Sequence, residues 1–163
     1  MDTVERETER AKEVYRYFRE SVFELARGPL AFYIEMHQNS SENNIDVATL
    51  GITREQARAI KTAYQKIRDG VLREQPEVAK VNLIIEPLDQ VAIGAWAAKD
   101  HGILGLAKSS LHFELPAQPV FYRKNTRRAY TKILAELINW IAATKSGLIL
   151  TQTAALYKTA SKK

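Results

Sequence analysis

Cysteine is missing from this 163-residue chain. That excludes a disulfide framework, a thiolate metal site and a cysteine nucleophile together, and it suits a reducing compartment. Glycine is scarce, with 7 residues, few for a sheet protein built on many tight turns. No window approaches the ~20 apolar residues that a membrane-spanning helix needs. The opening MDTVERETERAKEV is charged rather than apolar, unlike a secretory leader. A cytoplasmic protein without membrane contact is therefore expected. The glycines never form GxxxxGK[ST] or GxGxxG, so no glycine loop is available to cradle phosphate.

Histidine is also sparse. His37, His101 and His112 stand far apart, and none has a second histidine at i+3 or i+4. A helical zinc motif is thus absent, and neither a metal site nor a cofactor is expected. Asp100-His101 reverses the His-Asp dipeptide of one class of metal-dependent phosphohydrolases and lacks flanking ligands. A helix-end histidine beside Gly102 is the better reading. Helical ribonucleases of the HEPN type place a histidine a few residues after an arginine, whereas Arg27 precedes His37 by ten residues and no arginine closely precedes His101 or His112. Glu5, Glu9 and Glu13 fall on an arginine-rich helix, where they read as exposed ion-pair partners and not as an acid and base pair. No catalytic residues are assigned, and the chain is read as a non-enzyme.

Positive charge is unevenly distributed. Residues 1–107 hold 14 Lys and Arg against 17 Asp and Glu, while residues 108–163 hold 10 against 2, so a net −3 is followed by a net +8. Basicity confined to one third of a chain is the footprint of a phosphate partner, or alternatively of an acidic protein. It centres on residues 120–145, VFYRKNTRRAYTKILAELINWIAATK. Here Arg123, Lys124, Arg127, Arg128 and Lys132 recur at helical spacing, and Tyr130, Ile133, Leu134, Leu137, Ile138 and Ile141 form the apolar stripe behind them. Only Glu136 is acidic in this stretch, so helix-surface ion pairing does not account for the basic head. A weaker basic line, Arg54, Arg58, Lys61 and Arg68, lies on a second helix. Tyr122, Tyr130 and Phe121 are candidates to stack on a base, although aromatics at this spacing are more often core.

Taken in order, the chain reads as helices. A long helix covers 3–27, Pro29 ends it, and a short apolar helix through Leu30, Phe32, Tyr33, Ile34 and Met36 follows before a polar loop over 37–46. Thr53-Arg54-Glu55-Gln56 matches a capping box and opens a helix whose stripe is Ala57, Ile60, Tyr64, Ile67 and Val71. Further helices are expected from Pro76 to Pro87 and from Leu88 to Lys99, with a short piece near Gly102 and Gly105 and an extended connection over 111–119. The basic helix then ends at Gly147, and a last short helix covers 148–157. With no strong period-two pattern, the expectation is one all-α domain spanning 1–163, a bundle of five to seven helices with a basic C-terminal third, 108–163.

A small, cysteine-free, helical chain with the basic head RKNTRR and no catalytic motif resembles the small subunits of multi-subunit CRISPR effector complexes, most of all the type I-D form. In that family the small subunit corresponds to the C-terminal helical region of the large subunit. The resemblance implies a non-catalytic subunit, present in several copies within a Cascade-like antiviral ribonucleoprotein. It would hold guide RNA, target DNA and the displaced strand by their backbones. The contacts it implies are Arg123, Lys124, Arg127, Arg128 and Lys132, with Arg54, Arg58, Lys61 and Arg68 as a second line. The other reading is a helical adaptor whose basic face docks an acidic protein partner.

Overall fold

A computed structural model describes residues 9–26, 28–39, 44–117 and 123–160. It contains a four-stranded mixed sheet with four helices among the described residues, an α/β fold, and this corrects the all-α expectation. The elements run α1 (Glu9–Leu25), β1 (Tyr33–Asn39), β2 (Asn44–Leu50), α2 (Arg54–Leu72), β3 (Asn82–Ile85), α3 (Trp96–His101), β4 (Ser110–Pro116) and α4 (Lys124–Ala160). The sheet order is β1-β4-β2-β3. β1 is parallel to β4, β4 antiparallel to β2, and β2 parallel to β3.

Several expected helices are replaced by strands. Tyr33 to Met36 belong to β1, and most of the expected polar loop extends β1 and begins β2, residues 40–43 lying outside the described residues. The segment expected to be helical from Pro76 supplies β3 instead. Of the helix expected over Leu88 to Lys99, only α3 from Trp96 is formed. The extended connection over 111–119 is largely the interior strand β4. Gly147 does not end the basic helix, since α4 continues to Ala160 and the separate last helix is absent. The likeness to CRISPR small subunits rested on size, helical order and the RKNTRR head, and of these the sheet removes the helical order.

Side chains on a strand alternate between faces. Leu111 and Phe113 of β4, Ile45 and Val47 of β2, and Leu83 and Ile85 of β3 are buried together on one face. Against them lie Ala57, Ile60 and Tyr64 of α2 and Ile133, Leu137 and Ile141 of α4, as helical spacing predicts for those two stripes. The capping box of α2 is formed: the N–H of Gln56 donates to Thr53 Oγ1 at 3.2 Å, and the N–H of Thr53 donates to Gln56 Oε1 at 2.9 Å.

The opposite face is polar. Strand alternation and register give it Tyr33, Glu35 and His37 of β1, Ser110, His112 and Glu114 of β4, and Asp46 of β2. Residues 88–108 cover part of it: the N–H of Ala92 donates to Asp46 Oδ2 at 2.9 Å, and Ser110 Oγ donates to the Leu104 carbonyl at 2.8 Å. α1 packs on α3 and the 3-10 turn Ile103–Gly105, outside that layer. Gly51, at φ +66°, lets the chain leave β2 beneath the Lys108 carbonyl, where an added Cβ would collide with that oxygen.

Asp89 ties the end of β3 to α2. Its Oδ2 accepts from Lys61 Nζ at 2.6 Å and from the Ile85 N–H at 3.0 Å. Burial works to raise its pKa, but these bonds outweigh burial and hold it below the ordinary value of 3.8. A lowered folded-state pKa contributes stability above the unfolded value, and that contribution is lost as pH falls through the folded one. Asp89→Asn is therefore expected to cost on the order of 1 kcal/mol at neutral pH. In urea unfolding followed as a function of pH, the gap between variant and wild type closes below about pH 4.

Candidate metal centre

The polar face brings together two of the three histidines. Glu35 and His37 are two residues apart on β1, and His112 and Glu114 are two apart on β4, so each pair shares a face. Parallel pairing sets Glu35 opposite His112 and His37 opposite Glu114. The His112 ring stacks on that of His37, with centroids 4.6 Å apart and planes 19° from parallel. His112 Nδ1 lies 2.5 Å from Glu35 Oε1, and its Nε2 lies 2.8 Å from Glu114 Oε1. Tyr33 Oη donates to the other Glu35 oxygen at 3.2 Å, and His37 Nε2 lies 3.7 Å from Glu35 Oε1.

The electrostatics follow from this sandwich. Burial opposes a charged imidazole at His112, yet its bonds to Glu114 and Glu35 prevail and push its pKa up to about 9. Burial likewise works to raise Glu35, but His112, His37 and Tyr33 lower it below its ordinary value. Burial and the neighbouring Glu35 push Tyr33 up to about 12. With no metal bound, His112 is an imidazolium donating to a carboxylate on each side.

The same atoms make a ligand set. One donor atom each from Glu35, His37 and His112 lies within 4.8 Å of the others. An ion among them would take the Nδ1 position of His112 from its proton, while Nε2–H would keep its bond to Glu114. A carboxylate behind a ligating imidazole fixes its tautomer and orientation, and Tyr33 does the corresponding service for Glu35. His112 and Glu114 are buried, whereas His37 is about half exposed. One side of the cluster therefore faces solvent.

The basic residues singled out in the sequence are not gathered in one place. Arg123, Lys124, Arg127, Arg128 and Lys132 are all exposed, and among the described residues none of them forms an ion pair. Arg127 lines a cleft of about 480 Å³ beside His37, whereas Lys132 lines a different groove with Glu136 and Trp140 against α2. The second line is largely engaged in structure. Arg68 is buried, donating to the Val81 carbonyl at 3.0 Å and lying over the Tyr64 ring. Lys61 pairs with Asp89, Arg54 donates to the Pro87 carbonyl, and only Arg58 is left simply exposed. Tyr130 is core: its hydroxyl donates to the Ala79 carbonyl and accepts from the Val81 N–H. Phe121 and Tyr122 lie outside the described residues. His101 ends α3 and is not a member of the cluster.

A search for histidines at helical spacing could not find this centre. Its signal is the mirrored pair Glu35-x-His37 and His112-x-Glu114, each at the spacing that a strand needs to put both groups on one face. No protein-family model matches the chain, and neither a curated protein nor a solved structure does. No helix among the described residues is long and apolar enough to cross a membrane.

Proposed function

We propose that this protein is a metal-dependent hydrolase whose centre is formed by Glu35, His37 and His112. The observation that carries the reading is the proximity of three donor atoms, within 4.8 Å of one another across two strands, with His112 already backed by Glu114. Two imidazoles and one carboxylate suit zinc or a neighbouring first-row ion, whereas magnesium and calcium favour oxygen ligands throughout. Three protein ligands beside an exposed edge leave room for water, the feature that separates catalytic from structural zinc sites. An ion held there would acidify that water and supply a nucleophile near neutral pH. A cytoplasmic setting belongs to the same proposal, on the cysteine-free composition.

Cobalt(II) reports on the proposal directly, because its visible bands intensify as imidazole and carboxylate replace water. Titration of the purified protein is expected to give a saturable spectrum, displaced by zinc. His37→Ala removes an exposed ligand with little effect on packing, and is expected to weaken binding by at least about tenfold. If cobalt and zinc both fail to bind at millimolar concentration, the cluster is a buried imidazolium held by two carboxylates and the hydrolase reading falls.

A further inference from the structure

Resting on the metal-centre reading, we infer that the substrate is single-stranded nucleic acid, cut at a phosphodiester. Glu35 and His37 belong by alternation to the polar face, Met36 and Gln38 to the face that meets α4. The cleft occupies the α4 side, at the C-terminal ends of β1 and β4. Its lining includes Met36, His37, Gln38, Pro116, Arg127 and Thr131. His37 is thus common to the metal cluster and the cleft.

The chemistry of the two sides is complementary. One offers ligands for a cation that can polarise a phosphoryl oxygen; the other offers Arg127, whose fork of N–H donors fits a phosphate. Arg123, Lys124 and Arg128 are exposed around the same end of α4. A single small anion could not engage both sides of β1. A strand with one phosphate per nucleotide can, one phosphate reaching the ion while a neighbour meets Arg127. Duplex DNA, with a persistence length of about 50 nm, resists bending round a sheet edge, so the flexible single strand fits better. In the reaction, the oxygen of a water forms a new bond to phosphorus. The bond from phosphorus to one sugar oxygen breaks, and that oxygen ends as a hydroxyl carrying a proton supplied by the water.

Fluorescein-labelled dT12 and rU12 are the probes, with the full chain loaded with cobalt or manganese. At least one strand is expected to bind in an anisotropy assay and to be shortened on a gel, with no shortening after chelation. Arg127→Glu is expected to weaken binding about tenfold and to flatten the salt dependence by about 0.7 in slope. Lys66→Glu, in the separate groove, should behave as wild type. The cobalt titration of Arg127→Glu should match wild type. If metal binds but neither strand is cut, or Arg127→Glu binds and cuts as wild type does, the substrate inference is overturned and the metal centre stands. If no metal binds, the underlying reading fails, and this inference with it.

Discussion

Phe113→Ala is expected to remove about 3–5 kcal/mol of folding stability, a large part of the roughly 5–15 kcal/mol that a domain possesses. Phe113 is 0% exposed on an interior strand of the sheet. It stands opposite Met36 on β1 and Val47 on β2, within the core that α2 and α4 close. Truncation leaves a cavity that strands held on both sides cannot collapse to fill, so the lost transfer energy and the cavity cost add. Urea unfolding gives the difference as a lower midpoint at unchanged slope. A loss below about 1 kcal/mol would mean that Phe113 faces outward. Because side chains alternate, that result would turn His112 into the core and dismantle the centre as well.

His112→Ala, one residue away, is expected to act on metal binding first. The substitution removes the ligand whose ring is fixed from both sides. Cobalt and zinc affinity should fall on the order of a hundredfold or more, beyond the ~10–100-fold typical of losing an outer partner. It also strands Glu35 and Glu114 in a largely buried site without the imidazolium between them, a stability loss on the order of 3 kcal/mol. Glu114→Gln separates the two effects, because the amide oxygen still accepts from His112 Nε2–H while the negative charge is gone. That variant should stay folded by circular dichroism and bind metal ~10–100-fold more weakly. Unchanged affinity in both variants would remove His112 from the ligand set.

The two predictions concern neighbours on one strand, and they show how much of the molecule was readable in advance. Ser110 to Leu115 alternate polar and apolar, the pattern of a one-faced strand, but a run so short is equally compatible with an extended connection, and Tyr33 to Met36 carry even fewer positions. β2 and β3 are harder. IDVATL is short and interrupted by Asp46 and Thr49, NLII has only three apolar residues, and segments so brief fit a buried strand or a helical turn equally well. The helices were clearer, because many turns repeat the same signal: α2 carries its capping box and its stripe, and α4 carries Ile133, Leu137 and Ile141 inward as their spacing requires. Arg68 has the spacing of an exposed face yet turns inward, its guanidinium donating to the carbonyl of Val81.

By itself the sequence determined which residues share a side of each element, because 3.6-residue and two-residue periods are local properties of the backbone. It placed Arg127 on the exposed side of its helix; Glu35 shares a side with His37, and His112 with Glu114, only once β1 and β4 are strands. Which strands become neighbours was decided only by tertiary structure. Pairing β1 with β4 closes a loop that brings together residues 77 apart in the chain, Glu35 and His112. The free energy that selects that pairing comes from burying the apolar face under α2 and α4, not from the histidines themselves. The polar face is gathered as a consequence of that burial, which is why no local reading of the sequence joins the two halves of the cluster.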